Sequence, residues 1–206
     1  MIRNSLEKEI SELKNSLKLQ EEIIKKLKSR LDVLESQDKQ IERKRFTIQL
    51  IMDWSVNTRG SIMSAVLFVE KFNDFTSLEK IVSIEYLTIH KTDNSYFEKL
   101  KYLKACLPEE KFNENDNLIE LSPDSIQKLR SLLVEFLNQL EVIMTAWEHA
   151  IADPELVEKT FIPMKTVNGD NSYFILKRFR DILKDKNGGL DQFTSITAFE
   201  ENIITV

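Results

Sequence analysis

The chain has 206 residues, of which 42% are hydrophobic and 31% are charged, and its net charge is −5. This composition is typical of a folded protein, and the negative charge gives no general attraction to nucleic acid or to an anionic membrane. Only four Gly and four Pro occur, which is too few for the many turns of a β-sandwich or barrel. We therefore predict an all-α fold.

Targeting and redox signals are sparse in this sequence. Cys106 is the one cysteine, so the fold has no internal disulfide. The N-terminus turns charged within a few residues, and no stretch approaches the ~18 apolar residues of a membrane-spanning helix. We expect a cytoplasmic protein with no membrane partner.

The first 42 residues carry a heptad repeat, the pattern in which apolar residues recur at alternating steps of four and three. Its a positions are Ile10, Leu17, Ile24 and Leu31, and its d positions are Leu6, Leu13, Leu27, Leu34 and Ile41. Two polar residues interrupt the series, Gln20 at d and Asp38 at a. We predict a long N-terminal coiled-coil helix over residues 1–42 that brings copies of the chain together, with a dimer favoured.

The direction and partner of this coil stay open at the sequence level. Glu9 with Lys14, and Arg30 with Glu35, have the spacing that pairs opposite charges across a parallel dimer. The alternatives are a coil formed with a different protein and a helix lying against the chain's own C-terminal domain. The heptads from Leu6 to Ile41 span about 36 residues, or roughly 54 Å of helix. A domain of the remaining residues is roughly 40 Å wide, so self-association is the favoured prediction.

A basic stretch follows the heptads. Lys39, Arg43, Lys44 and Arg45 lie within seven residues and are candidates for contact with a nucleic-acid backbone. A solvated charged belt between the coil and the next domain is the commoner explanation of such a run. We therefore keep nucleic acid only as an alternative partner.

Residues 43–190 are predicted to form a five- to six-helix bundle. Gly60 separates the first two helices, and a Ser/Thr-x-x-Glu capping box begins a third near Ser77, which we expect to end near His90. A similar box begins a fourth helix at Ser95. Residues 108–122 are predicted to be a loop.

The second half of the bundle contains its predicted central helix. Ser122 caps this helix, which runs to about Ile151. Asp153 caps a short helix, residues 168–170 form a turn, and a last helix ends before residues 187–189. The tail, residues 191–206, is compatible with either a strand or a frayed end.

Motifs for catalysis or metal binding are missing from the sequence. It has no phosphate-binding glycine loop, no zincin motif and no nucleophile elbow. His149 and Asp153 share a helical spacing, but Asp153 is better explained as a helix cap, and Cys106 as a buried thiol. We predict no catalytic residue, no metal site and no cofactor.

One segment resembles a known family. Residues 136–141 (Phe-Leu-Asn-Gln-Leu-Glu), followed by an acidic turn and a helix at residues 151–157, resemble a family of uncharacterised bacterial helical domains of unknown function. The resemblance covers about residues 46–184 and singles out Asn138 and Glu141, for which hydrogen bonding inside a helical bundle suffices as a role.

These features together favour a non-enzymatic interaction protein. In this hypothesis the coil forms a dimer, and the helical domain is presented to another macromolecule, most simply a protein. Two alternatives stay open: a nucleic-acid-associated protein that uses the basic stretch, and an enzyme whose site is assembled from residues scattered along the sequence.

Overall fold

The structure is a computed structural model that describes residues 2–72, 74–112, 117–161 and 172–204, with side chains omitted for residues 2–17, 19, 172–175, 203 and 204. Its helices are α1 (Ile2–Asn57), α2 (Ser61–Val69), α3 (Phe75–Ser83), α4 (Tyr96–Cys106), α5 (Pro123–Glu148), α6 (Pro154–Phe161), α7 (Ser172–Lys186) and α8 (Thr194–Ile204), and its strands are β1 (Leu87–His90) and β2 (Leu118–Leu121). The predicted all-α class with a long N-terminal helix is confirmed.

The chain divides into two compact units, residues Met1–Arg45 and Phe46–Val206. The first unit is a stretch of α1 without Gly or Pro. The second contains the last turns of α1 and the elements that follow. Among the described residues, no helix is both long and apolar enough to cross a membrane.

Helix α5 is the central helix of the second unit. It packs against α2, α3, α6 and α8, and its apolar positions repeat near every 3.6 residues, so one broad face is buried. That face includes Leu129, Leu133, Leu137 and Leu140. The predicted start is confirmed, because the Ser122 side chain accepts a hydrogen bond from the amide of Ser125.

The predicted third helix has a different cap and a different end. It begins at Phe75, close to the predicted Ser77, but the cap is the Asp74 carboxylate, which accepts a hydrogen bond from the Ser77 amide. It ends at Ser83, where Ile84 adopts a left-handed conformation with φ of 58°. His90 therefore lies at the end of strand β1 and not at the end of a helix.

The predicted loop at residues 108–122 also contains regular structure. Strand β2 pairs antiparallel with β1 in the register Leu87 to Leu121 and Ile89 to Ile119. These four side chains are buried on one face of the two-stranded sheet. Each strand has four residues, too few for the alternating pattern to stand out from helix periodicity.

The tail forms helix α8, a structure that neither sequence-based alternative anticipated. Phe193, Ile196 and Phe199 are buried, and Phe199 meets Trp147 edge to face at a centroid distance of 5.0 Å. The buried Arg180 of α7 pairs with Glu200 at 2.6 Å. The helix therefore depends on contacts with α5 and α7, which lie far away in sequence.

Other boundaries in the second half agree more closely with the sequence. Helix α5 ends at Glu148, short of the predicted Ile151, because Ala150 has a left-handed φ of 52°. Asp153 caps α6, as predicted, because its carboxylate accepts a hydrogen bond from the Leu156 amide. Helix α7 ends before Asn187, also as predicted. The predicted turn at 168–170 lies outside the described residues.

Candidate oligomerisation face

The a and d side chains of α1 are exposed wherever the structure describes them. The exposed fractions are 53% for Ile24, 58% for Leu27, 56% for Leu31, 56% for Leu34 and 48% for Ile41. We call these five residues the seam. For Leu6, Ile10, Leu13 and Leu17, the structure gives the helical backbone but no side chain.

The seam residues lie on one stripe of the helix because the average heptad step of 3.5 residues is close to the 3.6 residues of one helical turn. Fully burying a Leu or Ile side chain contributes about 1.5–3 kcal/mol, so covering the exposed half of each seam residue contributes about 1 kcal/mol. A stripe of large aliphatic side chains in water is the usual mark of an interaction surface.

Apolar side chains outside the seam provide a comparison. Val33 is 54% exposed, nearly as much as Leu34 beside it, yet it occupies a c position of the heptad, away from the seam. Ile23, 49% exposed, occupies a g position at the edge of the seam. Among the side chains that the structure describes in the first unit, the apolar surface of α1 is therefore concentrated at and beside the a and d positions.

The polar interruptions are exposed as well. Gln20 and Asp38 both lie on the surface of α1 in the first unit. Their heptad positions place them on the same stripe as the seam, where a partner helix would contact them. A polar residue in such a layer lowers stability but selects one alignment of the helices.

The second unit has its own apolar surface on the last turns of α1. Ile48 and Met52 are 50% and 56% exposed, whereas Thr47, Trp54 and Thr58 are buried. The sequence analysis ended the heptads at residue 42 and missed the first two. Continuing the count would have found them, because Ile48 falls at d and Met52 at a.

The four basic candidates are all exposed, but they do not share one side of the helix. Lys39 and Arg43 are one turn apart and occupy outer positions of the heptad. Lys44 lies at a g position, and Arg45 at an a position. A single phosphate backbone running along α1 would therefore meet two of the four residues at a time.

Surface grooves in the described part of the second unit include two that α5 lines. One of about 750 Å³ lies beside α4 and α5, where its lining includes Cys106, Glu110, Asp124 and Lys128. Burial raises the pKa of the Cys106 thiol to about 12, so this cysteine stays protonated at neutral pH and is a poor nucleophile. The other groove, of about 330 Å³, includes Asn138 in its lining.

Glu141 joins two helices of the second unit. Its carboxylate oxygens accept hydrogen bonds from the amides of Ser195, at 2.8 Å, and Ile196, at 3.0 Å. These amides belong to the first turn of α8, where no carbonyl of the helix itself reaches them. The residue before α8 is Phe193, which has no side-chain acceptor, so the cap comes from α5.

His149 lies exposed at the end of α5, and the Asp153 carboxylate is engaged in capping α6. In the described part of the chain, no group of three His, Cys, Asp or Glu side chains is arranged to hold a metal ion.

Comparison of the chain with family models, curated proteins and solved structures gave no match. The resemblance to the bacterial helical family therefore stays a prediction. Of the two residues that it singles out, Glu141 has the capping role described above, and Asn138 is exposed on α5.

Proposed function

We propose that this chain is a non-enzymatic interaction protein that forms a dimer through the seam of α1. The observation that carries the proposal is the half exposure of the five seam residues on one stripe of a 56-residue helix. Such a stripe is stabilised by packing against a second helix with the same repeat. A second copy supplies that repeat without any further component.

The role proposed for the second unit is to contact another macromolecule, most simply a protein. Large apolar side chains support this role, since Tyr86, Phe97 and Leu190 are 67%, 64% and 72% exposed. Dimerisation would present two copies of that surface and strengthen binding to a partner with two sites. We propose the cytoplasm as its location, because Cys106 is buried with a free thiol.

Two neighbouring residues provide a matched test of the dimer. Leu34→Asp places a charge in the seam, whereas Val33→Asp places the same charge on a residue of similar exposure outside it. We expect light scattering to show a dimer for the unmodified chain and for Val33→Asp, and a monomer for Leu34→Asp. A monomeric unmodified chain, or equal effects of both substitutions, would contradict the proposal.

The nucleic-acid alternative predicts different behaviour. It requires binding to a labelled DNA or RNA duplex that weakens steeply with salt and disappears when Lys39, Arg43, Lys44 and Arg45 are all changed to Glu. We expect no such binding at physiological salt, because the four cations lie on different sides of the helix. Tight, salt-sensitive binding that depends on these residues would replace the proposed function.

A further inference from the structure

We propose that two copies of α1 pair antiparallel, in the alignment that places Gln20 opposite Asp38 of the partner subunit. This inference rests on the proposed function and specifies its geometry. It starts from the two polar interruptions of the heptad series, which are exposed on α1 in the single chain.

A parallel, in-register dimer places each residue beside its own copy. The two Asp38 carboxylates would then share one layer. Like charges in a partly dehydrated layer repel each other and lose solvation, and neither cost is offset. Only Gln20 is tolerated in this arrangement, because an amide both donates and accepts hydrogen bonds.

An antiparallel dimer places each a residue opposite a d residue of the partner, because reversing one helix reverses the order of the two positions. Gln20 is at d and Asp38 is at a, so they can occupy the same layer. The Gln20 amide N–H then donates to the carboxylate of the partner's Asp38, and symmetry forms this hydrogen bond twice. A hydrogen bond to a charged acceptor is among the stronger ones.

This alignment also matches the central apolar layers. The two-fold axis of this dimer crosses each helix halfway between residues 20 and 38, so residues equally far from that point on opposite sides face each other. Ile24 then faces the partner's Leu34, and Leu27 faces the partner's Leu31. Sliding one helix by a heptad would place Gln20 and Asp38 opposite other residues, and the hydrogen bond between them would be lost. The polar layer therefore fixes the alignment as well as the direction.

The flanking charges favour the other direction. Glu9 with Lys14 and Arg30 with Glu35 would pair across a parallel dimer. Pairs at the edge of a coil are solvated, and such exposed pairs contribute little to stability. Two aspartates in the same seam layer are less solvated, so their repulsion is less screened. The repulsion between the two Asp38 carboxylates in a parallel dimer therefore outweighs the attraction of the flanking ion pairs.

Cysteine cross-linking distinguishes the two directions. In the full chain carrying Cys106→Ala, we would introduce Leu17→Cys and Ile41→Cys separately and together. In the proposed alignment these positions face each other, whereas each lies roughly 36 Å from its own copy. A disulfide needs Cα atoms about 4.4–6.8 Å apart. We expect oxidation to link dimers of the double variant and to leave both single variants unlinked.

The outcomes separate this inference from the proposed function. Linked dimers of both single variants would show a parallel coil and overturn the antiparallel alignment, while leaving the dimer intact. A double variant that stays unlinked although light scattering shows a dimer would overturn this alignment alone. A chain that is monomeric by light scattering would overturn the proposed function itself.

A second variant tests the polar layer. Gln20→Leu and Asp38→Leu together, added to the chain with Leu17→Cys and Cys106→Ala, remove the pair that selects the direction. We expect the linked fraction to rise at least severalfold on oxidation, because parallel dimers become accessible. An unchanged fraction would show that this layer does not set the direction.

Discussion

Lys99 is a charged side chain in the interior of the second unit, with 3% of its surface exposed. Its ammonium group lies 2.5 Å from the Asp93 carboxylate and 4.1 Å from the centre of the Phe72 ring. A buried ammonium group is stable only when such partners replace its lost water. Asp93 lies in the turn before α4 and Lys99 lies on α4. The sequence gives no sign that this lysine is buried, because lysine side chains are mostly exposed.

The first prediction concerns Asp93→Asn, which leaves the buried ammonium group without its counter-charge. We expect the free energy of unfolding to fall by about 2 kcal/mol, below the 3–5 kcal/mol typical of a fully buried pair because the Asp93 side chain is partly exposed. Urea denaturation checks this value. Asp181→Asn, at an exposed pair on α7, is the control and should change stability by under about 0.5 kcal/mol.

The same pair predicts a pH dependence. Burial acts to raise the pKa of Asp93, but hydrogen bonds from Lys99 and Ser95 outweigh it and lower the pKa from 3.8 to about 2. The pair therefore stabilises the fold fully above about pH 4, and this contribution is lost as the pH falls from about 4 to about 2. Thermal melts across this range should show a smaller loss for Asp93→Asn than for the unmodified chain.

Glu141 yields a prediction about the cap of α8. Glu141→Gln keeps one oxygen and replaces the other with an NH₂ group, so one of the two amides of Ser195 and Ile196 loses its acceptor. We expect a loss of about 1 kcal/mol in the free energy of unfolding. Glu135→Gln, exposed on the same helix, is the control, and an equal loss there would contradict the capping role.

At the scale of elements, the end of α5 depends on one residue. Ala150 has a φ of 52°, and the amides of Ile151 and Ala152 turn back to the Ala146 carbonyl. This is a C-terminal capping arrangement in which glycine is the usual residue. Sequence rules did not place the helix end there, because alanine is a strong helix former.

The corresponding prediction is that Ala150→Gly stabilises the second unit. Glycine adopts the left-handed conformation without the steric cost that alanine carries, and this gain exceeds the added freedom of the unfolded chain. We expect a gain of about 0.5 kcal/mol in urea denaturation. The same change at Ala146, which has a buried side chain inside α5, should instead lower stability by about 1 kcal/mol or more.

At the scale of the whole molecule, different spectroscopic probes follow the two units. Trp54 and Trp147 both belong to the second unit, where Trp54 contacts Phe161 edge to face. The first unit contains no tryptophan. Tryptophan emission therefore reports the second unit alone, whereas circular dichroism reports the helices of both.

Dilution should separate these signals if the seam forms a dimer. A long helix with an unpaired apolar seam and a largely polar surface is marginally stable in water, so dissociation should lower its helix content. We expect the ellipticity at 222 nm to fall on dilution while tryptophan emission stays constant. Leu34→Asp should show the lower ellipticity at every concentration. Emission that changes in parallel with ellipticity would contradict this prediction.

The sequence by itself determined the elements whose stabilising pattern is local. The heptads of α1, the cap and proline at the start of α5, the Asp153 cap and the end of α7 depend on residues within a few positions of each other. The structure agrees with the helices that these signals predict. The heptads also indicate association, which remains a proposal.

Only the tertiary structure decided the elements that depend on distant partners. Strands β1 and β2 stabilise each other across a long sequence interval, and α8 depends on Glu141 and on the Arg180–Glu200 pair. The physical reason is the same in each case, because hydrogen bonds and burial between distant segments leave no periodic trace in either segment alone.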